Sequence, residues 1–420
     1  MVKYLWRKKG IAMDQYTQIL TRMSDILSPD DDQYEEKLLA IAATFRSFSQ
    51  ALTSFLCTNG FNGDTSNIDE KVCYLKAKFK ESEIPAPRDI KKWFSEDKGI
   101  GPDTAYQICF AFNLGIEGTR DFFRRVYFER AFDCHSITEA VYYYCMRNAL
   151  SYSDALDIIA QMPKAKTTAT KTDKEILYTG TIVEFIDGVK TPAELIAYVN
   201  NHIEQFGYNN ATATKHIQQL WAALACKEGL AYGEGKLLDK AFNYDTGEDT
   251  EKDDLYTVVG EEADSIWRIF AQIVGLDRRQ TTQLGTNRTL KPLLENNALL
   301  PSLAEDSFPD RNGIELIIKG KHVSHERIRK TLILLEFYTY WANAIVTHNN
   351  ALWEATDIDA ERCIDKINRY LIEAGYPELY PGNPYDWIFM WAVKDVWPLV
   401  TFRDHMRALY AHKSSEQIES

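Results

Sequence analysis

Glycine and proline, the two residues that most often interrupt helices, are scarce in this sequence. There are 21 glycines and 13 prolines in 420 residues, about 8% of the chain, where average proteins have about 12%. The scarcity disfavours a turn-rich β architecture, and a hydrophobic content of 45% is too high for a mainly disordered chain. We therefore expect an all-α, multi-helical fold.

Paired cysteines and long apolar segments are also missing. The seven cysteines are odd in number and form no Cys-x-x-Cys motif, which favours reduced thiols inside helix cores over disulfides. No run of about 18 apolar residues could span a membrane, and residues 1–15 lack the apolar stretch of a secretory signal peptide. The sequence predicts a cytoplasmic protein with no membrane partner.

Positive charge is in deficit over the whole chain. The 48 lysines and arginines face 61 aspartates and glutamates, a net charge of −13, and the sequence pI is about 5.2. A protein that bound nucleic acid with its entire surface would need an excess of cations to contact the phosphates. Any such contact must therefore come from a local basic patch.

Two breaks in composition divide the chain. The stretch 163–174 (PKAKTTATKTDK) has almost no large apolar residue to bury, which is typical of a linker. The stretch 245–254 (DTGEDTEKDD) is dominated by carboxylates and is expected to stay in solvent. The breaks predict a helix-turn-helix-like domain over 1–162, a linker over 163–178, a small central helical domain over 179–244, an acidic loop over 245–254 and a C-terminal helical domain over 255–420.

An internal repeat relates the two ends of the chain. Residues 84–112 and 308–338 both begin with an apolar-Pro step, continue into a short amphipathic helix and a glycine-containing turn, and end in a strongly apolar helix. Further on, 137–159 resembles 383–406. We interpret the pattern as a divergent duplication that places a second helix-turn-helix-like copy near the C-terminus. The alternative is that unrelated amphipathic helices resemble one another.

The first copy carries a basic face. At 100° per residue, its short helix separates an apolar side from a cationic side, and Pro87 suits the start of this helix. A longer helix is predicted upstream over 68–82, and a helix, a short turn and a basic short helix form the arrangement of a helix-turn-helix. The cations expected to face outward are Arg88, Lys91 and Lys92 on the short helix and Lys71, Lys76, Lys78 and Lys80 on the upstream helix.

The run PRDIKKWFSEDKGIGPDTAYQICFAFNLGI resembles the recognition helix and the following helix of lambda-repressor-like (XRE-type) domains. Trp93 stands at the position of their core tryptophan, and the resemblance covers about 45–115. It implies that Arg88, Lys91 and Lys92 face the major groove of double-stranded DNA. The alternative is an ordinary basic helix face in contact with solvent. The whole chain resembles larger bacterial helical proteins with such a module, which are associated with mobile elements or phage defence.

The second copy has different chemistry. Its outward face holds Asn312, Glu315 and Lys319, and a carboxylate at that place repels phosphate. Base reading is therefore not expected there. Phosphate contact is the hypothesis for the nearby cations, and an ordinary charged helix start is the alternative. These candidate cations are Lys319, Lys321, Arg327, Arg329 and Lys330.

Motifs for catalysis and metal binding are not found. The run GLAYGEGKL at 229–237 has the wrong spacing for a phosphate-binding loop and lacks the Ser or Thr after Lys236. The pair His322 and His325 has no glutamate of a zinc-protease motif and no cysteine cluster to complete a tetrahedral site. The sequence predicts no cofactor, no metal and no catalytic residue, although groups that converge only in space stay open.

Aromatic clusters at 142–144, 337–341 and 386–397 are expected to fill helix interfaces. The function hypothesis is a DNA-binding regulatory protein that acts through its N-terminal helix-turn-helix. The alternative is a helical protein-interaction scaffold with degenerate helix-turn-helix folds, which binds a protein partner or forms a homo-oligomer. The predicted core residues are Ile90, Trp93, Phe94, Phe110, Ile317, Leu332, Leu335, Trp387 and Phe389.

Overall fold

A computed structural model gives the structure of the protein. The predicted acidic loop and most of the predicted linker lie outside the residues that it describes. The described residues are 15–25, 33, 36–37, 40–41, 43–164, 179–207, 210–241, 262–275, 309, 311–321 and 323–403.

Every regular element in these ranges is a helix, which confirms the all-α prediction. The last turn of α6 continues as a π-helical turn, Phe123–Tyr127, and a 3₁₀ turn, Ile203–Gln205, follows α10. The α-helices are α1 (Gln15–Asp25), α2 (Phe48–Thr58), α3 (Ile68–Glu81), α4 (Ile90–Ser95), α5 (Pro102–Ala111), α6 (Ile116–Phe122), α7 (Ile137–Arg147), α8 (Tyr152–Gln161), α9 (Thr179–Gly188), α10 (Pro192–Asn201), α11 (Ala211–Ala225), α12 (Leu230–Ala241), α13 (Glu262–Val274), α14 (Arg311–Ile318), α15 (His325–His348), α16 (Asp357–Glu373) and α17 (Pro384–Ala392).

The chain forms two compact units, and both are discontinuous in sequence. The N-terminal unit comprises Arg46–Thr212 and Leu371–Glu378, and the C-terminal unit comprises Met1–Phe45, Ala213–Tyr370 and Leu379–Ser420. This division differs from the one predicted from composition, because the chain changes units at 45–46, 212–213, 370–371 and 378–379 and not at 163–178. None of the described helices is long and apolar enough to cross a membrane.

Side-chain caps define where several helices of the N-terminal unit begin. Ser47 and Gln50 form a reciprocal capping box at the start of α2, and the Asn67 side chain accepts hydrogen bonds from two backbone N–H groups of α3. Ser151 and Asp154 form a second capping box at α8. These contacts satisfy N–H groups that have no partner within the helix.

The short helix α4 contributes three side chains to the core of the N-terminal unit. This helix packs against α2 and α3, while α5 packs against α3 and α6. Trp93 is 1% exposed and Ile90 is fully buried, as their spacing on one helix face predicts. All nine predicted core residues, in both units, are buried, which confirms the periodicity argument.

In the C-terminal unit, the long helix α15 is buried on most sides and packs against α12 and α14. The approach to α12 is close at Gly233, where a Cβ atom would lie 3.1 Å from a methyl carbon of Val346. The aromatic residues of α15 and α17 pack together, with ring centroids of Phe337 and Phe389 5.2 Å apart. The aromatic clusters therefore fill helix interfaces, as predicted.

Two local predictions about the first copy are wrong. The short helix begins at Ile90 and not at Pro87, since Arg88 and Asp89 form a turn before it, in which the Asp89 carboxylate pairs with Lys98 at 2.7 Å. Lys71 is buried and not exposed, since its ammonium lies over the Phe94 ring, 4.8 Å from the centroid. Burial lowers the pKa of Lys71 below its ordinary value.

Candidate functional site

The predicted basic face exists as an exposed surface of the N-terminal unit. Lys91 and Lys92 lie on α4, and Arg88 lies two residues before it. All three side chains are exposed, while Ile90, Trp93 and Phe94 bury the opposite side. We call Arg88, Lys91 and Lys92 the basic face.

Carboxylates accompany the lysines of the basic face. Lys91 Nζ lies 3.0 Å from an oxygen of Asp69 on α3, and Lys92 Nζ lies 3.8 Å from Glu96. Arg88 has no ion pair with the described residues. Because these pairs are exposed to water, each stabilises the fold by at most about 1 kcal/mol.

The candidate phosphate-contacting cations of the second copy do not form one surface. Arg329 and Lys330 are 2% and 4% exposed, so the prediction that they contact phosphate is wrong. Both side chains lie in the core because α15 is buried on most sides, and there Arg329 binds Asp386. Lys321 is exposed, Arg327 is half-buried and Lys319 pairs with Glu315 on the same helix. His322 lies outside the described residues.

Arg329 donates to a buried carboxylate that also accepts a backbone N–H. We call this arrangement a carboxylate clasp. The two terminal nitrogens of Arg329 donate to the two oxygens of Asp386, at 2.8 and 2.7 Å. Asp386 is the third residue of α17, and it also accepts the backbone N–H of Tyr380 at 2.9 Å. The clasp thereby ties the fifth residue of α15 to the loop and helix that follow α16.

The N-terminal unit contains a clasp of the same layout. Glu139 is the third residue of α7 and accepts the hydroxyl hydrogen of Tyr106, the fifth residue of α5, at 2.8 Å. The same oxygen accepts the backbone N–H of Asp133 at 2.6 Å. In both clasps, the donor N–H belongs to the residue six positions before the carboxylate.

Asp133 connects this clasp to a buried charge pair. It contacts the Arg130 guanidinium and accepts the backbone N–H of Asn210 at 3.1 Å. Burial by itself would raise the pKa of Asp133, but the charge of Arg130 and the N–H donors hold it below its ordinary value. The segment Leu371–Glu378 covers the Arg130 side chain. The Tyr376 ring centroid in this segment lies 5.2 Å from the guanidinium carbon.

Glu139 makes the stability of the N-terminal unit depend on pH. Desolvation raises its pKa to about 7, against the opposing effect of Arg130. A group with a raised folded-state pKa binds its proton more tightly in the folded state, so stability falls as pH rises from about 4.5 to 7. We expect Glu139→Gln to reduce this fall, measured as the melting temperature across that range. Glu117→Gln, an exposed control, should keep the wild-type slope, and an unchanged slope in Glu139→Gln would contradict the assignment.

A third buried cluster lies in the C-terminal unit. Arg403 donates to both oxygens of Glu234, at 2.7 and 3.0 Å, and its Nε donates to the Gln272 carbonyl at 2.9 Å. The Tyr338 hydroxyl also donates to Glu234, at 2.8 Å. Burial opposes ionisation, yet Arg403 and the other donors lower the pKa of Glu234 below its ordinary value. Glu234 lies within α12, so the run 229–237 is helical from Leu230 onward and forms no phosphate loop.

Sequence reasoning missed all three clusters. The available signal was a carboxylate at an apolar position of a helix, such as Asp386 among the aromatic residues of PYDWIFMWA. The cysteines were predicted better, since all seven are free and four are buried, but Cys57, Cys73 and Cys226 are exposed. Within the described ranges, no three His, Cys, Asp or Glu side chains are grouped to hold a metal ion.

Comparison with known proteins gives no relative. No family model, no curated protein and no solved structure matches the chain.

Proposed function

We propose that the N-terminal unit binds double-stranded DNA through the basic face and that the protein acts as a transcription regulator. The observation that carries the proposal is that three exposed cations, two on a short helix and one just before it, lie opposite the buried anchor of that helix. Because Ile90 and Trp93 anchor the other side, the helix that carries the two lysines has one orientation within the unit. Arg88 is suited to a bidentate contact with guanine, and the lysines are suited to phosphate oxygens.

The surrounding helices support the same proposal. α3, the turn 82–89 and α4 follow one another as in a helix-turn-helix, and α2, α5 and α6 belong to the same core. A helix that binds in the major groove must be held in place by neighbouring helices, since specific contacts require a fixed register on the duplex. Of these helices, α2 to α5 lie within the segment, about 45–115, that resembles the lambda-repressor-like domains.

The carboxylates beside Lys91 and Lys92 are compatible with DNA binding. An exposed ion pair contributes at most about 1 kcal/mol, so a phosphate can replace Asp69 as the partner of Lys91. Removing the Asp69 charge frees Lys91 and removes a repulsive group near the DNA backbone. The arrangement thus predicts opposite effects for the two members of one ion pair.

Opposite changes in DNA affinity are expected from variants of the basic face. Lys91→Ala should weaken binding to all sequences and reduce the salt slope by about one, whereas Asp69→Asn should tighten binding. Arg88→Ala should cost about 1–3 kcal/mol and relax the preference at one base pair, if it contacts a base edge. The measurement is fluorescence anisotropy with genomic duplex fragments at two salt concentrations.

The control for these variants is Lys190→Ala, which removes one exposed lysine elsewhere in the same unit. It should leave the affinity and the salt slope near the wild-type values. Equal effects of Lys190→Ala and Lys91→Ala would show that net charge acts in place of a defined surface, and the absence of any duplex binding by the wild type would reject the proposal.

A helical interaction scaffold is the second candidate. The observation that favours it is the mixed charge around α4, where Asp69, Glu96 and Asp89 each pair with a lysine. A surface of alternating charge suits a protein partner or a second copy of the chain. Under this alternative, analytical ultracentrifugation should show an assembly that Arg88→Ala and Lys91→Ala weaken, without any affinity for DNA.

We also propose that the chain arose by internal duplication. The two carboxylate clasps support it, because each joins the fifth residue of one helix to the third residue of a later helix and accepts the N–H six positions upstream. The helices differ in length, since α5 has 10 residues and α15 has 24. Under this proposal the second copy keeps the carboxylate clasp of the first but lacks its basic face.

A further inference from the structure

One stripe of α3 carries two lysines that the basic face does not include. The residues of the stripe follow one another at intervals of four, three and four positions, so they share one side of the helix. All of them are exposed, while the buried residues of α3 lie on its other sides. We call this set the outer stripe, and its members are Asp69, Cys73, Lys76 and Lys80.

The outer stripe meets the basic face at one end. Asp69 lies 3.0 Å from Lys91 Nζ, and the two side chains are 79% and 63% exposed, so they open on the same surface. At 1.5 Å per residue, Lys76 and Lys80 lie about 11 and 17 Å from Asp69 along the helix axis. The major groove is about 12 Å wide. A basic face that enters the groove therefore leaves both lysines within reach of a phosphate strand at the edge of that groove.

Lys76 and Lys80 differ from the neighbouring lysines in their charge partners. Neither forms an ion pair with a described residue, whereas each of the other lysines on α3 and α4 that water reaches has a carboxylate beside it. These pairs are Lys78 with Glu81, Lys91 with Asp69 and Lys92 with Glu96. The C-terminal half of the outer stripe thus carries positive charge that no described carboxylate neutralises, and such a patch attracts an external anion.

We infer that Lys76 and Lys80 bind phosphate oxygens of one DNA strand beside the groove that the basic face enters. The inference rests on the proposed DNA binding and extends the contact surface from α4 to α3. Phosphate contacts fix the orientation of a protein on the duplex but carry no sequence information. The two lysines therefore contribute affinity for every sequence, while Arg88 contributes the sequence preference.

Fluorescence anisotropy with duplex fragments tests the inference on the double variant Lys76→Gln/Lys80→Gln. Losing two phosphate contacts should lower the salt slope by about 1.8, so the loss of affinity between about 50 and 200 mM salt should be about twelvefold smaller than for the wild type. The order of preference among fragments should stay the same. The control Lys78→Gln/Lys190→Gln removes the same net charge from the same unit and should keep the wild-type slope.

Alkylation of the wild-type chain by iodoacetamide, read out by mass spectrometry, gives a second test. Cys73 is exposed on the outer stripe between Asp69 and Lys76, and Cys226 is exposed in the C-terminal unit. Bound duplex should slow the alkylation of Cys73 and leave the rate at Cys226 unchanged. An unchanged rate at Cys73, or equal slowing at both cysteines, would overturn the inference.

Failure of this inference and failure of the proposed function give different results. If the wild type binds duplex and Lys91→Ala weakens binding, but Lys76→Gln/Lys80→Gln keeps the wild-type slope or its control loses as much, only the inference is wrong. If the wild type binds no duplex, both are wrong. Circular dichroism checks that each variant is folded, and the alkylation test decides alone if the double variant is not.

Discussion

Replacing Arg403 by alanine is expected to lower the free energy of unfolding of the C-terminal unit by about 3–5 kcal/mol. The guanidinium is the charge partner of Glu234, and both side chains are almost completely buried. Its removal leaves a carboxylate in the core with an uncompensated charge. Urea unfolding followed by circular dichroism measures the loss.

Two comparison variants test this explanation. Arg362→Ala removes an exposed arginine of the same unit and should change the unfolding free energy by no more than about 0.5 kcal/mol. Replacing Glu234 and Arg403 together by leucine removes both charges and should recover much of the loss, since apolar side chains can substitute for a buried ion pair. If the double variant is no more stable than Arg403→Ala, an uncompensated charge is not the cause.

Trp93→Ala should destabilise the N-terminal unit by about 3–5 kcal/mol. The indole is 1% exposed at the centre of the packing between α4 and its neighbours, so alanine leaves a cavity that the surrounding helices fill only in part. Thermal unfolding monitored by circular dichroism measures the effect. Lys92→Ala, one residue earlier and exposed, is the control, and equal melting temperatures for the two variants would show that Trp93 does not anchor the helix.

The core was predictable because burial leaves a periodic trace in sequence. Ile90, Trp93 and Phe94 repeat at the spacing of one helix face, and the structure buries all three. The same reasoning failed for Lys71, because the helical wheel gives the direction of a side chain but not what the neighbouring helix offers. Here α4 supplies the Phe94 ring as a partner for the ammonium group.

The polar clusters were not predictable because their members are distant in sequence. Glu234 and Arg403 are 169 residues apart, and nothing near either residue indicates the other. Arg329 and Lys330 illustrate the consequence, since a sequence-based reading assigns charged residues to the surface by default. Only the packing of α15 against α17 turns Arg329 into a core residue.

The basic face was only partly predictable. The helical wheel predicted that its cations are exposed, but it did not predict their ion pairs with nearby carboxylates. Lys91 and Asp69 belong to different helices, so their contact depends on how α3 and α4 pack. The charge of a surface is therefore less predictable than the identity of the residues on it.

The return of segment Leu371–Glu378 to the N-terminal unit constrains the order of events during synthesis. Arg130 can donate to the Ala374 carbonyl and contact the Tyr376 ring only after the ribosome has added roughly 160 residues beyond Thr212. This takes about ten to thirty seconds at typical elongation rates. Until then the nascent unit carries a buried arginine with part of its surroundings missing. Its final contacts therefore form only after translation has passed through most of the other unit.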